Sequence, residues 1–169
     1  GVEIAKSAYR KGADVELWYG NVKGHIPHWI PNKKFDRLSD LLDMTDEIQG
    51  TVIVPAALSN FKVRKKYEGK ISSEGELSLK LKALPKFIDK IKEKSEFLVA
   101  YKAEDSKDKK IEKAEEMIEK ERADFVVANA IEDVKEDRNT VYFTKTQEWI
   151  EGTKREIAEK LLEELESVI

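Results

Sequence analysis

The segment TVIVPAALSNF, residues 51–61, begins as a buried apolar strand and loses its side-chain bulk at Pro55, Ala56 and Ala57 before it reaches Asn60. Beyond it, in YEGKISSEGELSLKLK, stands Lys70. A backbone stripped of bulk at the carboxyl end of a parallel strand is where an α/β sheet admits a ligand. Ala56 and Ala57 therefore either allow close main-chain approach or pack beneath a helix. The amide of Asn60 suits a ribose or phosphate, and equally suits a loop that bonds its own backbone. Lys70 either offers its ammonium to an anion or solvates a strand edge. The basic run KVRKK, residues 62–66, either draws in an anionic ligand or is a solvated loop.

Other chemistries find less support. His25 and His28 in HIPHW are spaced as some metal ligands are, but Pro27 lies near them and no third ligand is evident, so no metal site is expected. The chain has no cysteine, which removes disulfides, thiolate metal sites and thiol nucleophiles. It carries no Gly-x-Gly-x-x-Gly fingerprint for an intact nicotinamide cofactor. With 31 basic and 34 acidic residues the formal net charge is −3, so the surface as a whole does not attract nucleic acid. No apolar run reaches the roughly 20 residues that span a bilayer, and the first residues lack the pattern of a signal peptide. No membrane partner and a cytoplasmic location are expected.

The elements that must position these residues follow from periodicity. Val2, Ile4, Ala5 and Ala8 predict a helix over residues 2–10, with Gly12 closing it. ADVELWY alternates as a strand does, and residues 20–35 read as a long loop. Residues 36–44 predict a short amphipathic helix, and Thr51–Val54 a buried strand. Leu77, Leu79 and Leu81 alternate with Ser78, Lys80 and Lys82, predicting a strand that pairs with KIS (70–72) across a bend at Glu74-Gly75. Pro85 opens a helix whose buried face is Phe87, Ile88 and Ile91. Strand EFLVAY, a helix over about 108–121 and strand DFVVAN follow, and this order implies a parallel sheet. TVYFTK and QEWI predict a second hairpin. Thr153 and Glu156 form a capping box ahead of a helix striped by Ile157, Ala158, Leu161, Leu162 and Leu165. At 169 residues the chain fits one domain, opening on a helix with no strand before it.

Four segments in register, AALSNF (56–61), GKISSEGELSLKLKALPKFI (69–88), FLVAYKAE (97–104) and ADFVVAN (123–129), resemble the phosphopantothenate-cysteine ligase domain of coenzyme A biosynthesis, especially its archaeal form. The resemblance runs from residue 1 to the last helix. It implies a Rossmann-like α/β fold with a mostly parallel sheet, flanking helices and an extra β-hairpin, about residues 69–82, for dimerisation. It also implies a homodimer that joins 4'-phosphopantothenate to cysteine through an acyl nucleotide, with Mg²⁺ and CTP, or ATP, as co-substrate. FMN enters only if a decarboxylase domain precedes this one in the parent chain. By the same resemblance Lys70 is the nucleotide-contacting, catalytic lysine. Asn60 stands where the family has an aspartate; Pro85, Lys86, Phe87 and Ile88 line the base pocket; Tyr101 takes an aromatic position beside the nucleotide.

The chain departs from the family pattern in three further places. Met117 and Glu121 stand where bacterial members carry two lysines, with Lys113 and Lys120 on the same helix. NAIEDVKEDRN (129–139) replaces a Phe-Gly turn. Family members also have a strand and an Asn/Ser/Gly-rich loop before the position of Gly1, which makes an N-terminally incomplete domain the expectation. The alternative is a non-catalytic, dimerising, nucleotide-binding fragment.

Overall fold

The computed structural model describes residues 1–22, 24–65, 69–70, 74–104, 107–130 and 137–166. The apolar stripe of the first residues forms helix α1 (Val2–Arg10). Its end is a Schellman motif: the Ala13 N–H donates to Ala8 O (3.2 Å) and the Gly12 N–H to Tyr9 O (3.0 Å), with Gly12 at φ +89°.

Strand β1 (Leu17–Tyr19) is shorter than ADVELWY predicts, and β2 (Asn32–Lys34) arises inside the expected loop. The two pair in parallel, Leu17 opposite Asn32 and Tyr19 opposite Lys34. No apolar alternation marks NKK, because this strand is held from outside its own pattern. Lys33 bridges Glu16 (2.9 Å) and Glu47 and lies 5.9 Å from the Trp18 ring centroid. Helix α2 (Leu38–Asp43) passes into a 3₁₀ turn, Met44–Glu47.

The central sheet is built from β3 (Thr51–Val54), β6 (Phe97–Glu104), β7 (Phe125–Ala130), β8 (Arg138–Phe143) and β9 (Glu148–Thr153), side by side in that order. β3, β6 and β7 run parallel, and β8 and β9 continue as the expected antiparallel hairpin. A parallel sheet covered on both faces has near-continuous apolar strands. In β7 the side chains of Phe125 and Val127 enter one core and those of Val126 and Ala128 the other.

The first core lies under α1 and α5 (Lys154–Glu166), where Phe125 meets Phe143 edge to face at 5.2 Å. The second lies under α2, α3 (Phe87–Ile91) and α4 (Lys107–Glu119). The capping box forms as predicted: the Thr153 N–H donates to Glu156 Oε2 (2.7 Å) and the Glu156 N–H to Thr153 Oγ1 (3.2 Å). A Cβ at Gly152 would lie 2.9 Å from Glu156 Oε2 and would push the capping carboxylate aside.

Around the predicted hairpin the described residues form a two-stranded ribbon. Its two strands are β4 (Phe61–Val63) and β5 (Leu81–Ala83), antiparallel, with Phe61 opposite Ala83 and Val63 opposite Leu81. Thus the basic run contributes a strand, while Leu77 and Leu79 are exposed and outside any strand. Of the predicted KIS strand, Ile71 and Ser72 lie outside the described residues, as do Lys66 of KVRKK and residues 131–136 of NAIEDVKEDRN.

Candidate functional site

β3, β6 and β7 end at one edge of the sheet, and the candidate site is assembled there. Val54 is buried, Pro55 half-buried, and Ala56 and Ala57 are exposed. The main chain is therefore open to approach where the strand stops. Leu58 then turns in to the second core and anchors the segment. Asn60 is exposed, and its carbonyl accepts a hydrogen bond from the Leu84 N–H (2.8 Å).

That bond continues the β4–β5 ladder and joins the bare segment to the start of α3. Pro85 and Lys86 are exposed, with Lys86 at the helix N-cap, while Phe87 is buried and Ile88 half-buried in the second core. The helix thus starts two residues after Pro85. Two ion pairs fix α3 from behind: Arg122 to Asp89 (2.7 Å) and Lys92 to Asp124 (2.7 Å). The Asp124 carboxylate also accepts the Leu98 N–H at 2.7 Å, which ties α3 to β6.

Residues 56–60 and 84–88 are therefore brought together, whereas Tyr101 lies on the other face of the sheet. Tyr101 packs against the first core, on the sheet face opposite Phe87 and Ile88, and burial pushes its hydroxyl pKa up. Lys70 is exposed in the connection between β4 and β5.

Topology adds groups that residue types alone do not reveal. β9 runs parallel to β7, since each is antiparallel to β8, so α5 starts at the same edge of the sheet. α1 lies alongside α5 in the same direction, with Lys11 paired to Glu166 (2.8 Å) where both helices end. At the opposite end a Cβ on Gly1 would lie 3.2 Å from Pro55 Cγ, which sets the start of α1 beside the exit of β3. Two helix N-termini therefore face the exit of β3, each with N–H groups and a positive dipole end. Such an edge favours an anion. Asn129, buried at the end of β7 and in register with Ala103, adds a polar side chain to this edge. Only the placing of an asparagine at the end of an apolar strand hinted at it.

No group of three or more His, Cys, Asp or Glu converges among the described residues. The described residues thus offer no all-protein cage for a cation, and a Mg²⁺ that kept several waters and arrived on phosphates would fit such a donor set. His25 and His28 are exposed with ring centroids 6.3 Å apart. No described helix is long and apolar enough to cross a membrane.

Residues 1–168 match the family model for the DNA/pantothenate metabolism flavoprotein C-terminal domain. The chain is 34% identical over 182 residues to the coenzyme A biosynthesis bifunctional protein CoaBC of Thermococcus kodakarensis; all of the chain is aligned, and it spans 45% of that protein's length. The fold superposes on a DNA/pantothenate metabolism flavoprotein from Streptococcus pneumoniae with a TM-score of 0.82 at 24% identity, over 99% of this chain and 87% of that one. It also superposes on a Cab2 variant in complex with phosphopantothenate-cysteine, with a TM-score of 0.75 at 14% identity, over 99% and 76% of the respective chains.

Proposed function

Because the chain belongs to the family of DNA/pantothenate metabolism flavoprotein C-terminal domains, we propose that it is the phosphopantothenate-cysteine ligase part of coenzyme A biosynthesis. It joins 4'-phosphopantothenate to cysteine through an acyl nucleotide, in the cytoplasm and as a homodimer, with CTP as the co-substrate and ATP as the alternative. The observation that carries this reading is the exposed Ala56–Ala57 main chain beside two helix N-termini.

Forming an acyl nucleotide makes a carboxylate attack an α-phosphate, so two anions must meet. Like charges about 4 Å apart cost on the order of 4 kcal/mol at an effective dielectric near 20, about a thousandfold in rate. Positive ends fixed before the substrates arrive offset this repulsion without reorganising. The N–H groups of α1 and α5 supply fixed positive potential at the β3 exit. The Lys70 ammonium adds a full charge on a long tether and stabilises the departing pyrophosphate. Bound with the polyphosphate, Mg²⁺ supplies further charge neutralisation. Asn60 meets the ribose or phosphate, Pro85, Lys86, Phe87 and Ile88 shape the base pocket, and Tyr101 supports the nucleotide side of β6 from within the core. Asn60 in place of an aspartate removes one negative charge from the phosphate's surroundings.

Titration calorimetry with CTP and ATP, each with Mg²⁺, tests the reading. Saturable binding of one nucleotide is expected, followed by pyrophosphate release when phosphopantothenate is added. Binding of neither would sink it.

A further inference from the structure

The two faces of the β4–β5 ribbon differ in kind. Residues opposite one another in an antiparallel ladder share a face, and successive residues alternate between faces. Phe61 and Val63 therefore lie with Ala83 and Leu81 on one side, and Lys62 lies with Lys82 on the other. The Arg64 N–H to Lys80 O bond (2.8 Å) continues the ladder by one pair, which adds Arg64 and Lys80 to the side of Lys62 and Lys82. One face is thus wholly cationic.

Like charges directly opposite one another destabilise a ladder, and no carboxylate relieves these. On other parts of the surface lysines meet acids, as Lys34 meets Asp36, Lys92 meets Asp124 and Lys94 meets Asp46. Lys62, Arg64, Lys80 and Lys82 are all exposed, and none is ion-paired among the described residues. The imbalance extends beyond these four. Residues 60–90 hold nine basic and four acidic residues against 31 and 34 in the whole chain, so this stretch carries +5 and the remainder −8. An approaching anion is repelled by most of the protein and drawn to the ribbon.

The cationic face leads to the candidate site. Its ladder ends at the Leu84 N–H to Asn60 O bond (2.8 Å), with the Ala56–Asn60 segment on one side and Pro85 and the start of α3 on the other. At ~3.3 Å per residue, the Lys62–Lys82 pair stands ~7 Å from that bond and the Arg64–Lys80 pair ~13 Å from it. Such steps are shorter than the Debye length of ~8 Å at physiological ionic strength, so the fields of successive pairs overlap. Lys86, exposed at the N-cap of α3, continues the series past the root.

We propose that the cationic face of the ribbon captures the polyphosphate of the incoming nucleotide and guides it to the rim formed by residues 56–60 and 84–88, so that it sets the rate of association rather than the lifetime of the complex. This rests on the nucleotide reading above and adds how the substrate arrives. A nucleic acid backbone is the other polyanion with matching charge, but it extends past the ribbon and meets the −8 of the remaining surface.

Stopped-flow fluorescence with ribose-labelled CTP and ATP, each with Mg²⁺, tests the proposal on three proteins. These are wild type, a variant with Lys62→Gln, Arg64→Gln, Lys80→Gln and Lys82→Gln, and a control with Lys6→Gln, Lys113→Gln, Lys120→Gln and Lys160→Gln that changes the net charge equally on other faces. At low salt the ribbon variant is expected to bind at least tenfold more slowly than wild type, with dissociation within about twofold, while the control keeps the wild-type association rate. The wild-type association rate is also expected to fall steeply with added salt, whatever the folding of the variant. The proposal is overturned by a wild-type rate indifferent to salt, by equal association rates in wild type and ribbon variant, by an equal slowing in the control, or by a loss confined to the dissociation rate. A ribbon variant that keeps the nucleotide rate but loses binding to a short DNA duplex would assign the face to nucleic acid and overturn it too. If neither nucleotide binds wild type, the nucleotide reading and this proposal fall together; if one binds at a rate the ribbon does not affect, only this proposal falls.

Discussion

Strand β7 and the segment leaving β3 are separated by a single strand, β6, and they obey opposite rules. Between residues 125 and 128 every side chain is fully buried, and the two faces of β7 serve two different cores. Between residues 56 and 60 only Leu58 turns inward, and the main chain itself is the exposed feature. The first region is shaped by what fills it and the second by what has been left out. Substitutions in the two regions should therefore fail differently.

The largest expected effect lies in the filled region. Phe125 is 0% exposed and meets Phe143 at 5.2 Å, so Phe125→Ala leaves a cavity that costs about 3–5 kcal/mol. For a chain of this size that lowers the melting temperature by roughly 6–20 °C, measurable by calorimetry. A drop of only a degree or two would mean that the core collapses around the gap, and the contrast with the rim would weaken.

The rim should show the reverse. Lys70 is exposed, and Lys70→Ala is expected to change stability by no more than about 0.5 kcal/mol. Acyl nucleotide formation should fall by up to about a thousandfold, the upper bound set by the like-charge repulsion estimated above. Single-turnover rates of acyl nucleotide formation by wild type and variant provide the check. Equal turnover in the mutant would remove Lys70 from the mechanism.

What the amino-acid sequence disclosed follows the same division. The strands Thr51–Val54 and Phe125–Ala130 were readable because burial on both faces leaves unbroken apolar runs, and α5 because its stripe and capping box agree. The pairing of Leu17–Tyr19 with Asn32–Lys34 was hidden, since a strand that reads NKK owes its place to Lys33 binding Glu16 and Glu47 rather than to a pattern. Leu77, Leu79 and Leu81 show the converse: their alternation promised a half-buried strand, yet all three are exposed and only Leu81 is in a strand. Alternation reports that a face needs covering, not what covers it. At the candidate site, Ala56 and Ala57 announced themselves by their small size. The convergence of α1, α5 and Asn129 on the same edge depends on strand order, which no local pattern encodes.

A smaller effect compares two helix ends with the same hydrogen bonding. α1 closes on Gly12, whereas α4 closes on Glu121 at φ +50°, with the Arg122 N–H donating to Met117 O and the Glu121 N–H to Ile118 O, each at 2.9 Å. A non-glycine residue in this conformation costs ~1–2 kcal/mol, and glycine gives back part of that gain through the freer unfolded chain. Glu121→Gly should therefore stabilise by roughly 0.5–1 kcal/mol, read as a higher denaturant midpoint at constant slope. Destabilisation would show that the Glu121 side chain matters more than its backbone.

The smallest effect is electrostatic and sits on the exposed side of α4. Glu116 accepts from Lys113 (2.8 Å) and Lys120 (2.5 Å), which hold its carboxyl down at about 2 from an ordinary 4.5. The unfolded chain takes up this proton first as pH falls, so the stabilisation is whole above about pH 4.5 and disappears progressively as pH falls through about 2. Both partners are in water, and salt screens them. The stability difference between wild type and Glu116→Gln should therefore be greatest near pH 6 at low salt, shrink below pH 4.5, and nearly vanish in 1 M salt. Chemical denaturation across that pH range measures it. A difference that ignores both pH and salt would assign the effect of the substitution to helix propensity instead of charge, and would place this face of α4 with the regions governed by packing and local conformation.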